Sequence, residues 1–409
     1  MKKSALFILI PFLTLFVACG KAEDPDLWCN EPPDEHQSIL LTKTEEAINQ
    51  NSNEFGLELF RSLYQEDQVM VSPLSASLAL SMTAYGARGN TESAMLTTLG
   101  FKDFTRDQMG EFFKKMVEGL SYIDPKTTLA IANSIWAKKQ LSIKSDFKNG
   151  VAKYYGADVK PADFGSSSII QEINQWCSQK TNGLITNAAD TMDPSTVMSL
   201  VNALYFKGSW ASAFNTAKDG NFAAISGSAV ATKLMDKKGE LFYASNGSMD
   251  LVSIPYGNRA YVMDLILPVK TGAEGFRKVV EGLNWDTYSK LVSEGSYKEV
   301  VLTMPVFKLE YGEDLKEALC AMGMASAFSN SADFSGISDS GLTISQVIHK
   351  TLIDVNEKGT EAAAVTIVDM RETSAGPSET IYFTADRPFI FAIRECSTNA
   401  LLFVGQKVK

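Results

Sequence analysis

Side chains able to act as a catalytic base are scarce in this chain. Its 409 residues include two histidines, His36 and His349. A Ser-His-Asp hydrolase would need His349 as its base, but the G-x-S-x-G turn that carries such a nucleophile is absent from the sequence. P-loop and dinucleotide-binding fingerprints are absent as well. These observations argue against an enzyme, and we interpret His349 as a buried structural histidine.

The five cysteines are the second set of candidate chemical groups. Cys19 and Cys29 lie near the N-terminus, whereas Cys177, Cys320 and Cys396 stand apart in apolar segments. No C-x-x-C pair and no ligand spacing typical of a metal site occurs, so we predict no metal and no cofactor. We interpret the last three as buried free thiols, although an exported protein could form a disulfide.

Residues 356–371 have the composition of a segment that can change from loop to strand. Counting by twos from Thr360 gives a small or apolar set, namely Thr360, Ala362, Ala364, Thr366, Val368 and Met370. The charged side chains Glu361, Asp369 and Arg371 all fall in the alternate set, counted by twos from Glu361, which would face the opposite side of a strand. Proline, which would remove a hydrogen-bond donor from a strand, is absent from 359 to 376. Such a segment could enter a sheet without burying a charge, and Gly359 supplies backbone freedom for a turn.

Eight blocks of this sequence resemble serpins in content and in order. The resemblance extends from Thr44 to Lys407, and its blocks are residues 71–75, 85–91, 132–136, 173–176, 181–183, 200–210, 356–365 and 383–393. It implies an α+β fold in which helices pack around three β-sheets and expose a reactive-centre loop at residues 357–380. Periodicity agrees, because helical spacing dominates the first third and short β-branched runs increase toward the C-terminus.

The resemblance also assigns roles to particular residues. It implies a hinge for loop insertion, formed by Glu357, Gly359, Thr360, Glu361, Ala362, Ala363 and Ala364. It implies a shutter, a polar cluster beneath the central sheet where strands part, formed by Ser72, Ser75, Asn202 and His349. Trp210 is implied at the breach, where insertion begins.

The function implied by the resemblance is suicide inhibition of serine, or also cysteine, endopeptidases. The protease would attack a loop bond, and insertion of the cleaved loop would trap the acyl-enzyme. Family spacing places that bond between Thr373 and Ser374, which favours elastase-like or subtilisin-like targets, with Arg371 or Met370 as alternatives. The alternative function is a non-inhibitory carrier, chaperone or cleavable decoy of the same fold.

The N-terminus predicts export. Residues 1–18 combine Lys2 and Lys3 with an apolar stretch too short to span a bilayer, as in a signal peptide. Cys19 follows Ala18 in a segment that resembles a bacterial lipobox, so we expect lipidation of Cys19. Residues 19–40 are then a flexible tether and residues 41–409 the serpin domain, held at the bacterial outer membrane or cell surface.

Charge limits the range of partners. The formal net charge is −10, and loss of two lysines with the signal peptide makes it −12. An acidic chain without a lysine- or arginine-dense helix disfavours nucleic acid and polyanion cofactors. We therefore expect a monomer whose partners are proteases and whose membrane contact is the lipid alone.

Overall fold

The computed structural model describes residues 38–360 and 380–409. The helices in this part of the chain are α1 Lys43–Ser62, α2 Pro73–Ala84, α3 Gly89–Thr98, α4 Arg106–Leu120, α5 Ser145–Tyr155, α6 Ile169–Lys180, α7 Gly272–Gly282, α8 Trp285–Glu294 and α9 Lys316–Leu319. A π-helical turn at Cys320–Met324 and a 3₁₀ turn at Ala325–Phe328 follow α9.

The strands alternate with helices early in the chain and dominate its second half. They are β1 Val69–Val71, β2 Thr128–Lys138, β3 Asp158–Ala162, β4 Met198–Ser209, β5 Lys218–Ala223, β6 Ala229–Ser245, β7 Met249–Pro255, β8 Tyr261–Pro268, β9 Ser296–Pro305, β10 Phe307–Asp314, β11 Gln346–Asn356, β12 Gly359–Thr360, β13 Ile381–Thr384, β14 Phe389–Glu395 and β15 Leu401–Lys407.

Local sequence signals explain where the first helices begin. Thr42 and Glu45 form a capping box, in which each side chain accepts a hydrogen bond from the other residue's backbone N–H. Ser72 caps α2 and Pro73 takes the first helical position, where proline's missing N–H costs nothing. Every residue of α2 is buried, so this helix forms part of the core.

The central sheet has six strands in the order β10, β11, β12, β4, β2, β3. Strands β11 and β4 pair directly and in parallel, with residues 346–352 opposite residues 199–205. We call this line of direct pairing the seam. Parallel pairs normally lie in the interior of a sheet, and most residues of both strands are buried.

The other strands form one nine-stranded sheet rather than two separate sheets. Strand β6 has 17 residues; its first part pairs with β5 and its last four residues with β7. Pairing of β6 with β9 overlaps both regions, so this strand connects sheets that the resemblance counts separately. The predicted α+β organisation is confirmed, with hydrogen bonds linking two of the three expected sheets.

Candidate functional site

The first hinge residues already lie in the central sheet. Gly359 and Thr360, as β12, pair with Asn356 and Val355 of β11 on one side. On the other side they pair with Ser209 and Gly208 of β4. Further along, β11 contacts β4 directly at the seam. The sheet is thus parted at one end and closed along the rest of its length.

Close approach to β4 explains why residue 359 is glycine. Its φ is +148°, and a Cβ at this position would lie 2.2 Å from the carbonyl oxygen of Gly208. The next side chain, Thr360, is fully buried, and its Oγ1 lies 2.7 Å from the hydroxyl of Tyr256. Thr360 therefore faces the protein interior, the side that the alternation of small residues assigns to it.

Trp210 holds the turn that leads into β12. Its indole Nε1–H donates to the carbonyl of Asn356 at 2.8 Å, and its backbone N–H donates to the carbonyl of Lys358 at 3.0 Å. The indole ring stacks on Tyr256 with centroids 4.3 Å apart. Trp210 and Tyr256 together form the surface on which the hinge enters the sheet.

Glu357 fastens the same turn to the segment between β4 and β5. Its carbonyl accepts from the N–H of Phe214 at 2.9 Å, and its carboxylate accepts from the N–H of Ala217 at 3.0 Å. The hinge entrance is therefore held by backbone hydrogen bonds and ring stacking.

The four predicted shutter residues lie together and are buried. His349 Nε2 accepts from the backbone N–H of Ser72 at 3.0 Å, so the proton is assigned to Nδ1, which lies 2.7 Å from Asn202 Oδ1. The Asn202 amide nitrogen donates to the carbonyl of Ser75 at 3.0 Å and also to its hydroxyl. Ser72 and Ser75 are further linked through the cap of α2.

This cluster bridges the seam. His349 of β11 and Asn202 of β4 are directly opposite in the parallel register, and their side chains hydrogen-bond to each other. A strand inserted between β11 and β4 at this depth must break that bond. Complete burial lowers the pKa of His349 to about 4, so the imidazole is neutral near pH 7.

Two members of the site were missed from the sequence. Asn133 of β2 accepts from the Asn202 amide at 2.5 Å and extends the cluster by one strand. Tyr256, between β7 and β8, contacts both Trp210 and Thr360. Asn133 lies in the block 132–136 that resembles the family, so that block could have indicated it as a site residue. Nothing in the sequence around Tyr256 indicates that it contacts Trp210 and Thr360.

Comparison with known families agrees with this geometry. A family described as Serpin (serine protease inhibitor) matches residues 50–409. This chain is a serpin.

Relatives of this serpin match it over nearly their whole length. Iripin-2 of Ixodes ricinus is 32% identical over 381 residues, covering 90% of this chain and 95% of the relative. Leukocyte elastase inhibitor of Sus scrofa is 33% identical, covering 88% and 99%.

Solved structures show the same fold. The native thermophilic serpin tengpin has a TM-score of 0.82 at 32% identity, covering 94% of this chain and 98% of that one. Human thyroxine-binding globulin, solved with its hormone, has a TM-score of 0.82 at 28% identity, covering 90% and 99%.

The remaining loop residues of this serpin lie outside the described part of the chain. They are Glu361, Ala362, Ala363, Ala364, Met370, Arg371, Thr373 and Ser374. The chain is described again from Thr380, whose hydroxyl donates to the Glu299 carboxylate at 2.7 Å just before β13 pairs with β9. The loop therefore has two anchors, β12 in the central sheet and β13 in the nine-stranded sheet.

The cysteines correct one prediction. Cys177 is free and buried, whereas Cys320 is free but only half-buried. Burial raises the pKa of the Cys177 thiol to about 12. Cys396 is disulfide-bonded rather than free. It lies at the end of β14, where the N–H of Ile39 donates to Ser397 Oγ at 2.9 Å. The first described residues therefore lie beside the turn after β14, a proximity that spacing in the sequence does not reveal.

The predicted signal peptide and most of the predicted tether lie outside the described residues. Cys19, Cys29 and residues 1–37 are not covered, whereas Ile39 is already buried against the domain. In the described residues no helix is long and apolar enough to cross a membrane.

The buried His349 predicts a dependence of stability on pH. As the pH falls through about 6.5 the unfolded chain protonates this histidine, while the folded protein keeps it neutral until about pH 4. The unfolded state then binds more protons, so the free energy of unfolding should drop by about 3 kcal/mol between pH 7 and pH 4. Denaturant midpoints measured across this range should show the drop.

Two variants isolate the contribution of His349. His349→Gln should flatten the pH profile relative to wild type, even if its stability at pH 7 is lower. His36→Gln changes the other histidine and serves as the matched control. A His349→Gln profile parallel to that of wild type would contradict the assignment.

Proposed function

We propose that this serpin inhibits serine endopeptidases by inserting its cleaved loop into the central sheet. The observation that carries the proposal is β12, since the first two residues of the inserting strand are already paired between β11 and β4. The next inward side chains, Ala362 and Ala364, are small enough to follow Thr360 into a buried position.

The chemistry begins with the protease. Its serine Oγ attacks the carbonyl carbon of the scissile residue, the peptide bond breaks, and the new amine leaves with a proton. The ester that remains joins the protease to the loop segment that starts at the hinge. If this segment enters the sheet before water reaches the ester, the protease is carried along and the acyl-enzyme persists.

The seam supplies the barrier to premature insertion. Direct pairing of β11 with β4 and the His349–Asn202 hydrogen bond must both be broken before the loop can pass that depth. The intact loop is also anchored at β13, which keeps its two ends apart in different sheets. Cleavage removes the second constraint, so the native form is held kinetically.

Thr373–Ser374 is the bond we propose as scissile, fourteen residues beyond Gly359. A small Thr373 suits proteases with modest specificity pockets, such as elastase-like or subtilisin-like enzymes. The relative named as a leukocyte elastase inhibitor supports this class of target. The alternative Arg371 would suit a trypsin-like enzyme but leaves a segment shorter by two residues, or about 7 Å of strand.

The two candidate bonds lead to opposite results with trypsin. In the wild-type protein, an elastase should form a complex stable to SDS, whereas trypsin cutting after Arg371 should mainly release cleaved serpin. Thr373→Arg should create trypsin inhibition and abolish elastase inhibition, with second-order rate constants changed by at least about tenfold in each direction. Mass spectrometry of the released C-terminal peptide locates the bond.

Arg371→Ala is the matched control, because it removes the alternative basic residue without touching position 373. Wild-type protein that traps trypsin stoichiometrically at Arg371 would show that the assignment to Thr373 is wrong. Clean cleavage by every protease, without any stable complex, would instead favour a non-inhibitory carrier or decoy. Thyroxine-binding globulin shows that a protein of this fold can bind a small molecule.

We also propose that the protein is exported and anchored through lipidated Cys19, because residues 1–19 resemble a signal peptide followed by a lipobox cysteine. A tether would then display the domain on the cell envelope without a membrane-spanning helix. Metabolic labelling with a fatty acid should mark the wild-type protein and not Cys19→Ser. Equal labelling of both proteins would contradict this site.

A further inference from the structure

The end of the seam farthest from the hinge is joined by side chains as well as by the backbone. The N–H of Ser345 donates to the carbonyl of Met198 at 2.9 Å, which continues the ladder one residue before β11 begins. The Ser345 hydroxyl accepts from the N–H of Val197 at 3.0 Å. Gln346 Nε2 donates to the hydroxyl of Ser199 at 3.0 Å, so both strands are held together where they start.

The Gln346–Ser199 pair closes the face of the sheet that His349 and Asn202 leave open. Each pair consists of directly opposite residues in the parallel register of β11 and β4. Three residues separate the two pairs along each strand, so their side chains lie on opposite faces. Gln346 Nε2 also lies 3.0 Å from the sulfur of Met192, which packs against an apolar cluster that includes residues of α6. The seam is therefore bonded from both faces.

The strand register gives the order in which an entering loop would meet these bonds. Counting residue pairs along β11 from Val355, which pairs with Thr360, His349 is the sixth and Gln346 is the ninth. Nine steps of strand amount to about 30 Å. A segment cut after Thr373 has thirteen residues beyond Thr360, so the ninth would arrive at Gln346 with four still to follow.

We propose that Ser345, Gln346 and Ser199 form a clamp that closes the far end of the seam and limits how deeply the cleaved loop inserts. This role rests on the insertion mechanism proposed above. The first residues of the loop can enter while the clamp is closed, whereas complete insertion must break it. A loop stopped at the clamp carries the acylated protease only part of the way, so water has time to release active protease.

The surroundings of the clamp oppose its opening. Ser199 is fully buried, so its hydroxyl loses a partner that water cannot immediately replace. The start of β11 is also bonded on its other side, because the N–H of Val347 donates to Asp314 Oδ1 at 2.9 Å and its carbonyl accepts from the N–H of Leu315 at 3.0 Å. Movement of this end of β11 away from β4 must carry the end of β10 with it or break these bonds too.

A disulfide engineered across the clamp tests the proposal in the full-length protein. Directly opposite residues of neighbouring strands lie about 4.8 Å apart, a distance that suits a disulfide, so Ser199→Cys with Gln346→Cys can be oxidised to lock the seam. We expect elastase to cleave the oxidised double variant, while the fraction of protease in SDS-stable complex falls at least about tenfold below that of wild type. Reduction before mixing should restore trapping, because β11 and β4 can then separate.

The controls separate this proposal from the inhibitory function itself. Wild-type protein and Ser199→Cys alone, given the same oxidant and reductant, should trap protease equally under both conditions. Full trapping by the oxidised double variant would overturn the clamp, since insertion would not require the far end to open. Wild-type protein that traps no protease would contradict the inhibitory function instead. Melting temperatures then still test the clamp, because cleavage should stabilise the reduced double variant more than the oxidised one, and equal gains would count against it.

Loss of the cross-strand hydrogen bond is the opposite perturbation. Ser199→Ala and Gln346→Ala should each raise the limiting rate of complex formation at saturating elastase by about fivefold, the factor for one hydrogen bond of ordinary strength. The double variant should add little more, because both changes remove the same bond. Ser195→Ala, which changes an exposed serine four residues earlier, is the matched control. Unchanged rates in both single variants would contradict the clamp.

Discussion

Replacing Thr360 by arginine should convert this inhibitor into a substrate. Thr360 is fully buried against Tyr256, between β11 and β4, so an arginine at this position must lose its hydration. If the activation free energy of insertion rises by only about 1.4 kcal/mol, insertion becomes about tenfold slower relative to deacylation. More of the protease is then released in its active form. The ratio of protease released active to protease trapped should therefore rise by about tenfold or more, measured by titrating protease activity.

Glu361→Arg is the control for this experiment. It introduces the same side chain one residue later, on the side that the alternation assigns to solvent, and should keep this ratio near that of wild type. Ala362→Pro should resemble Thr360→Arg, because proline removes a donor from the strand ladder. If both Thr360→Arg and Ala362→Pro inhibit fully, insertion through this hinge is not the mechanism.

Cleavage of the loop should raise the melting temperature by tens of degrees. In the described part of the uncleaved protein, β12 contributes Gly359 and Thr360 to the central sheet. An inserted loop would extend β12 along the seam, pairing with β11 and β4 on both sides and burying the small side chains that follow Thr360 at period two, beginning with Ala362 and Ala364. Thermal melts of intact protein and of protein cleaved at Thr373 measure the difference.

The hinge variants separate insertion from cleavage in the same assay. Cleaved Ala362→Pro should gain much less stability than cleaved wild type, since its loop is cut but enters the sheet poorly. An unchanged melt after complete cleavage of the wild-type protein would favour the carrier or decoy function. A large gain in wild type together with trapping of protease would support the inhibitory one.

Much of the architecture follows from local patterns in the sequence. The Ser72 cap with Pro73 at the first helical position starts α2, and the apolar runs at 261–267 and 300–304 lie in β8 and β9. Caps and periodicity depend on neighbours within a few residues, so they survive in the final fold. The inward side of Thr360 is set by strand alternation and agrees with the buried position that the structure assigns to it.

How far the hinge has entered the central sheet, and which side chains cross the seam, depend on contacts between distant parts of the chain. Partial entry of β12 is determined by the separation of β11 and β4, and by Tyr256, which is 104 residues away from Thr360. Asn133 joins His349 and Asn202 because β2 and β4 are neighbouring strands, and Ile39 lies beside the turn that follows β14 although the two are 358 residues apart. Periodicity records which face of an element is buried but not which element covers it. The sequence alone therefore determined the elements, the family and the alternation of the loop, whereas the tertiary packing decided how far the hinge has entered, what crosses the seam and which thiols are free.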